Sequence, residues 1–163
     1  MTEQTAGLAF AGSTKAFAGE FALNLARPRP IGWHGALAGK LVGDFRSIAL
    51  RPVGIAVRAG DSVIGISAGG AFVTGKEFAL SGGAFAEQPF GPIHIGLGGE
   101  WQHRFSSSDE LFWANVSLRF GGDRQYWPHA RAGIGPVLVG GIGFAGDSKI
   151  YSLTLGVHVY AVD

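Results

Sequence analysis

The sequence predicts an all-β fold, an antiparallel up-and-down (meander) β-barrel of eight to ten strands. Three observations support this prediction. Turn-forming residues recur at nearly regular intervals along the 163-residue chain, and apolar and polar residues alternate between the turns. Glycine is abundant: the chain has 28 glycines among 163 residues, well over twice the usual share of about 7%. The short segments between turns leave no room for the helical crossovers that parallel strands require.

Eight strands follow from this spacing between residue 32 and the C-terminus. They cover residues 32–43, 48–59, 62–74, 77–87, 92–105, 110–121, 129–146 and 149–162. In the segment 110–121, Phe112 and Leu118 share one face while Asn115 and Arg119 share the other. An even meander closes most naturally on itself because closure removes the unpaired edges that invite aggregation. A two-sheet sandwich is the nearest structural alternative.

The first 31 residues of this single domain (1–163) allow two interpretations. The stretch "GEFALNLARP" alternates as a strand and, with "GLAFAG" before it, forms a further hairpin. Read at helical spacing, Ser13 instead caps a short helix that carries Phe17 and Phe21 and is stopped by Pro28. The hairpin is favoured. With the hairpin the barrel has ten strands. With the short helix it has eight.

Composition excludes several classes of protein. The net charge is +1 without any basic run, so the counterion release that drives nucleic-acid binding has little to act on. The chain has no cysteine, which excludes disulfide scaffolds and thiolate metal sites. No run reaches about 18 uninterrupted apolar residues, so a transmembrane helix is excluded. We therefore expect neither nucleic acid nor a helical membrane anchor.

The N-terminal sequence does not resemble a secretory signal peptide. It begins "MTEQTAGLAF", with an acidic residue and without a basic n-region ahead of a long apolar core. We expect that a leader either was removed from this chain or never existed.

The two faces of the predicted strands point to a barrel of the transmembrane type. In a soluble barrel the outer face should be rich in lysine and glutamate, yet charged residues make up only 15% of the chain, against about 25% in soluble domains. The small and polar face therefore resembles a crowded interior, and the apolar face would meet lipid. The predicted lumen-lining residues are Glu20, Lys40, Glu100, Asn115, Arg119 and His158.

Aromatic residues near the predicted strand ends are candidates for the girdles that flank the apolar band of a lipid-spanning barrel. These membrane-interface candidates are Trp33, Trp101, Trp113, Trp127, Tyr151 and Tyr160. An equally weighted alternative places them in an ordinary core.

Taken together, residues 32–163 resemble the small outer-membrane β-barrels of Gram-negative bacteria in their alternation, glycine content and turn spacing. The resemblance implies a location in the bacterial outer membrane and contact with membrane lipid. It also implies a non-enzymatic role, either structural or as a narrow, porin-like pore for small solutes. No cofactor is implied, and the resemblance leaves room for a homo-oligomer.

Two other functions compete with this interpretation. The first is a soluble lipocalin-like barrel that binds an apolar ligand in a cavity lined by the apolar face. The second is an outer-membrane lipid deacylase, since "HRFSSSDE" places His103, the serines 106–108 and Glu110 together. The serines fall in a turn without a nucleophile elbow, and the five histidines lack metal-ligand spacing. We therefore assign no catalytic, cofactor-binding or metal-binding residue.

Overall fold

In a computed structural model the chain forms ten antiparallel strands. The structure describes residues 2–11, 14–26, 30–74, 77–107, 109–120 and 132–161. The strands are β1 (Thr2–Ala11), β2 (Thr14–Ala26), β3 (Ile31–Val42), β4 (Phe45–Ala59), β5 (Ser62–Val73), β6 (Glu77–Phe90), β7 (Ile93–Arg104), β8 (Glu110–Phe120), β9 (Ala132–Ala145) and β10 (Ser148–Ala161). Each of the eight strands predicted from residue 32 onward is present, with bounds within a few residues of those expected.

The sheet closes into a barrel, as predicted. Each strand pairs with its neighbours along the chain, and β1 also pairs with β10 from Thr2–Val159 to Phe10–Tyr151. β1 and β2 form the N-terminal hairpin, so the helical interpretation of the first residues is wrong. The reason is the closure itself, because this hairpin supplies hydrogen-bonding partners to the edges of β3 and β10 that would otherwise remain open.

The up-and-down order gives the barrel two distinct ends. Both chain termini share one end, here called the terminal end, with the β2–β3, β4–β5, β6–β7 and β8–β9 connections. The other five connections lie at the opposite end, here called the distal end. Tight turns need a residue that accepts positive φ, and Gly60 (φ 62°) and Gly146 (φ 56°) supply it in two of them. The predicted strands 77–87 and 92–105 leave residues 88–91 between them as a turn, but β6 runs to Phe90 and only two residues separate it from β7.

A β-bulge interrupts β4 at Arg51 and Pro52. Pairing with both β3 and β5 shifts register there, leaving one extra residue in β4. Proline has no backbone N–H and is confined in sheets to edges and bulges, and a closed barrel has no edge. Ser47 is buried before the bulge and Ala56 after it. The bulge therefore moves the inward-facing positions of β4 from odd to even residue numbers.

The barrel wall carries large apolar side chains outside and mainly small and polar side chains inside. On the outer face Phe112, Leu153 and Val157 are 48%, 55% and 47% exposed, whereas His158 on the inner face is 3% exposed. The buried polar side chains are His34, Lys40, Ser47, Arg51, Ser67, Ser81, Gln102, Ser117, Ser152, Thr154 and His158. The predicted orientation is confirmed, and it is the pattern of a transmembrane barrel. A lipocalin-like barrel would require the reverse orientation.

Within the described parts of the chain, no helix has the length and apolar composition needed to cross a membrane.

Candidate functional site: the lumen of the barrel

Four charged side chains, here called the lumen cluster, meet inside the barrel. Lys40 Nζ on β3 lies 3.8 Å from Glu20 Oε1 on β2 and 3.2 Å from Glu100 Oε2 on β7. Arg51 Nη2 on β4 lies 2.8 Å from Glu100 Oε1. In the barrel, β7 is separated from β3 and β4 by intervening strands. The contacts to Glu100 therefore cross the lumen instead of following the wall.

The lumen cluster is balanced in charge and largely shielded. Its side chains are between 6% and 18% exposed, with two cations facing two carboxylates. Charges removed from water are tolerated when they are paired in this way. Removing one partner would leave another buried charge uncompensated. The cluster thus holds distant strands together across the interior and narrows the lumen at this level.

Trp113 forms the wall opposite Lys40. Lys40 Nζ lies 4.2 Å from the centre of the Trp113 ring, a cation–π distance. β3 and β8 face each other across the barrel in the strand order. A Cβ atom at Gly143 would overlap the indole, so this glycine provides the space for it. The prediction that Trp113 lies at the membrane interface is wrong, because alternation places it on the inner face with Asn115.

Glycine also provides the space for Arg51. A Cβ atom at Gly83 would lie 2.6 Å from Arg51 Nη1, closer than non-bonded atoms approach. Arg51 Nη1 also donates a hydrogen bond of 3.2 Å to the carbonyl of Gly82. The absence of a side chain at Gly83 therefore leaves space on the inner face of β6 for the Arg51 guanidinium. This explains in part why the chain contains so much glycine.

A second group of charges, here called the mouth cluster, lies toward the terminal end. It consists of Glu87, His94 and Arg119. His94 Nδ1 lies 3.1 Å from Glu87 Oε1, and Arg119 Nη1 lies 3.4 Å from Glu87 Oε2. Glu87 and His94 flank the β6–β7 turn, which sets the height of the cluster. His158, from β10, is near enough to interact electrostatically with Glu87.

Five of the six predicted lumen residues fall into two groups. The structure brings Glu20, Lys40 and Glu100 together in the lumen cluster. Arg119 belongs to the mouth cluster, and His158 is buried beside it. Asn115 lies on the inner face of β8, against Gly98 of β7, where a Cβ atom would overlap the Asn115 amide.

Sequence reasoning did not select several charged or titratable residues that the structure describes in the lumen, Arg51, Glu87 and His94 among them. Arg51 was missed because the β4 bulge shifts the alternation beside it. Pro52 within an otherwise regular strand was the signal that could have located that bulge. Glu87 is the last residue of the predicted strand 77–87 and was not selected as a lumen residue, although β6 continues past it. His94 fell on the polar face of its segment but was not selected.

Three of the predicted interface aromatics lie on the outer face. Trp33 and Tyr151 are 50% and 51% exposed, and the Trp33 Nε1–H donates a 2.8 Å hydrogen bond to the carbonyl of Pro52 at the bulge. Trp101 is partly exposed on β7, with its ring centroid 6.2 Å from that of His103. Trp127 and the side chain of Tyr160 lie outside the described residues.

An aromatic row that the sequence reasoning did not select continues from Trp101 at the distal end. His103 packs edge-on against Phe105, with centroids 5.6 Å apart, and Phe105 stacks on Phe78 at 6.1 Å. Phe78 in turn contacts Phe72. Phe72, Phe78 and Phe105 are all exposed. The row therefore lies on the outer surface, where aromatic side chains suit a membrane–water boundary.

His103 and Glu110 of the "HRFSSSDE" stretch lie at this end, on the outer face of the barrel. His103 Nδ1 is 3.8 Å from Glu110 Oε1, and its ring is held in the aromatic row. Ser106 and Ser107 are exposed in the β7–β8 connection, and Ser108 lies outside the described residues. Among the residues that the structure describes, no three histidine, aspartate or glutamate side chains are arranged to hold a metal ion.

The closed meander, the apolar outer wall and the ion-paired interior together define a β-barrel of the small outer-membrane type. Two solved structures share this fold. One is a KdgM porin, with a TM-score of 0.54, 11% sequence identity and 100% of both chains covered. The other is a KdgM porin in complex with disordered oligogalacturonate, with a TM-score of 0.52, 12% identity and the same coverage. At these identities the similarity shows the fold, and the predicted resemblance is confirmed at that level.

No protein-family profile matches the chain. No curated protein matches it in sequence.

Proposed function

We propose that this chain is a non-enzymatic barrel of the bacterial outer membrane that provides a narrow pore for small solutes. The observation that carries the proposal is the lumen cluster, a set of charged groups paired inside a wall whose outer face is apolar. A barrel of eight strands is largely filled by its own side chains, and a ten-strand barrel encloses a wider lumen. The porin fold of the two similar structures supports a pore over a purely structural role.

Membrane lipid is the partner that the outer wall requires. Large apolar side chains such as Leu50, Ile66 and Leu155 are 58%, 57% and 64% exposed. In water such a surface would drive aggregation, whereas in a bilayer it is solvated by acyl chains. The strands have 10 to 15 residues, enough for the roughly 9–11 residues that a tilted strand needs to cross a bilayer.

The lumen cluster sets the expected conductance. Lys40 reaches from β3 to Glu100 on β7 and to the Trp113 ring on β8. Its side chain therefore occupies the middle of the lumen at that level. Because the four charges balance, the pore should conduct weakly and discriminate little between anions and cations.

Single-channel recording in planar bilayers tests this proposal. Wild-type protein should give small, weakly selective conductance steps. Lys40→Ala should increase the conductance severalfold and make it cation-selective, because Glu20 and Glu100 then face a wider lumen without Lys40. Lys149→Ala is the matched control, since Lys149 is exposed at the distal end, and it should leave the conductance unchanged.

Absence of conductance from both the wild type and Lys40→Ala would contradict a pore. It would leave a structural barrel with a sealed lumen.

A further inference from the structure

The distal half of the lumen contains an apolar cavity. It is lined by Val42, Phe45, Leu111, Trp113 and Ile150, among others. Val42 packs with Ala18, and Trp113 and Ile150 pack against these two. The lumen of a transmembrane barrel is normally polar where it conducts water. An apolar lining at one end of the lumen therefore points to a binding site at that end of the proposed pore.

The cavity has the size of a single small molecule. Its volume is about 260 Å³, equal to the space of roughly nine water molecules at about 30 Å³ each. Lys40 and Glu100 of the lumen cluster line it together with Arg104, which lies at the distal end of β7. The cavity thus lies directly on the distal side of the lumen cluster, whose side chains form one end of it.

The charged groups around the cavity are already paired. Arg104 Nη2 lies 2.6 Å from Asp109 Oδ2, and its Nη1 lies 3.6 Å from Glu77 Oε2. Lys40 and Glu100 are paired within the lumen cluster. A charged ligand would have to break one of these pairs or bring an unpaired charge against apolar side chains, which is costly. The cavity therefore favours an uncharged molecule.

Several polar atoms in the lining lack a hydrogen-bond partner among the described residues, and Gln102 Oε1 is the acceptor among them, beside donors such as Trp113 Nε1 and Arg104 Nε. Gln102 is 5% exposed, and its Nε2 donates to Ser47 Oγ at 3.4 Å. Its Oε1 has no hydrogen-bond partner among the described residues. A buried acceptor left in this state costs about 1–3 kcal/mol. A hydroxyl group on a ligand would satisfy it.

We propose that this cavity binds a small uncharged ring molecule that carries one hydroxyl group, of the phenol class. The ring packs between Phe45, Leu111 and Trp113, and the hydroxyl donates to Gln102 Oε1. Aromatic packing adds to the burial of the ring. Binding requires a folded barrel but no conduction, so its failure and the failure of the proposed pore are separate results.

Fluorine NMR of para-fluorophenol with the protein refolded in detergent micelles tests the proposal, with protein-free micelles as the blank. The wild type should show saturable binding. Leu111→Trp fills the cavity and should weaken binding at least tenfold. Leu97→Trp is its matched control, since Leu97 on the outer face is 55% exposed, and it should bind like the wild type. Gln102→Leu should weaken binding about tenfold, and heat-modifiable gel migration confirms that each variant is folded.

Benzoate and benzylammonium serve as charged probes of similar size, and each should bind at least tenfold more weakly than phenol. Equal losses in Leu111→Trp and Leu97→Trp would overturn the proposal, because they would place the probe on the outer surface. Unchanged binding in Gln102→Leu would also overturn it, and this test applies even if the Leu111 variant does not fold. Benzoate binding as tight as that of phenol would contradict an uncharged ligand.

Discussion

Thr154 and Leu155 are neighbours on β10, yet Thr154 is 1% exposed and Leu155 is 64% exposed. In a water-soluble barrel the leucine would be the buried member of such a pair. The reversal holds along the strand, since Ser152 and His158 are buried while Leu153 and Val157 are exposed. The comparison shows that the large apolar side chains of this strand point away from the interior, where ion pairs and hydrogen bonds join buried polar groups. Changes on the two faces should therefore have different physical consequences.

The largest effect is expected on the inner face, at Glu100. Glu100→Gln removes the carboxylate shared by Lys40 and Arg51, and breaking a buried ion pair costs about 3–5 kcal/mol. Urea unfolding of the barrel in lipid vesicles measures this loss. Glu110→Gln is the control, because its carboxylate is half exposed and 3.8 Å from His103, and it should change stability by no more than about 0.5 kcal/mol. Equal losses of stability in Glu100→Gln and Glu110→Gln would mean that the lumen cluster is as hydrated as the surface.

On the outer face, the cost of a charge should depend on depth. Leu155 lies in the middle of β10 and Val159 near its terminal end, and both face outward. Leu155→Arg should destabilise the barrel in vesicles by about 2–4 kcal/mol, and Val159→Arg by about 0–1 kcal/mol. The same urea titration measures both. A similar small cost at both positions would argue against a bilayer around this face.

A smaller effect should distinguish the two faces at adjacent glycines of β6. Gly83→Ala places a methyl group against Arg51 on the inner face and should cost about 1–3 kcal/mol through overpacking. Gly82→Ala points outward, where the nearest side-chain atom, Trp101 Cε3, is 3.5 Å from the added Cβ. This control should be close to neutral in the same unfolding experiment. If Gly83→Ala were as neutral as Gly82→Ala, Arg51 would be able to move away from the added methyl group without a loss of stability.

The smallest effect concerns the bulge. Trp33→Phe removes the hydrogen bond from Nε1 to the carbonyl of Pro52 and should cost about 0.5–1.5 kcal/mol. Trp101→Phe is the matched change on the same face, since the described residues include no acceptor for its indole N–H. In thermal unfolding in detergent, Trp33→Phe should have a lower Tm than Trp101→Phe. The opposite order would show that the bulge does not depend on this bond.

The strands and their orientation could be predicted from the sequence because period-two alternation is a local property. In β8, Phe112, Asn115 and Arg119 lie on the faces that the pattern assigned to them. The one error on this strand, Trp113 at the membrane interface, came from preferring its nearness to a strand end over its alternation. A pattern that fixes which face a residue occupies is stronger evidence than its distance from a turn.

The pairing inside the lumen could not be predicted in the same way. Which charges meet depends on how far the barrel staggers as it closes and on which strands then face each other. Lys40 and Glu100 are 60 positions apart, and no local pattern relates them. The bulge at Pro52 adds a further break, because Arg51 faces inward in phase with Ala49 before it, whereas Ala56 on the even phase faces inward after it.

A cysteine scan along β10 tests the orientation most directly, since the chain has no cysteine of its own. Single cysteines at positions 151 to 158, each carrying a spin label in lipid vesicles, report access to molecular oxygen from the bilayer and to a water-soluble nickel complex. We expect a period of two, with oxygen access highest at 151, 153, 155 and 157. Oxygen maxima at the even positions, or no alternation at all, would contradict a barrel that turns its apolar face to lipid.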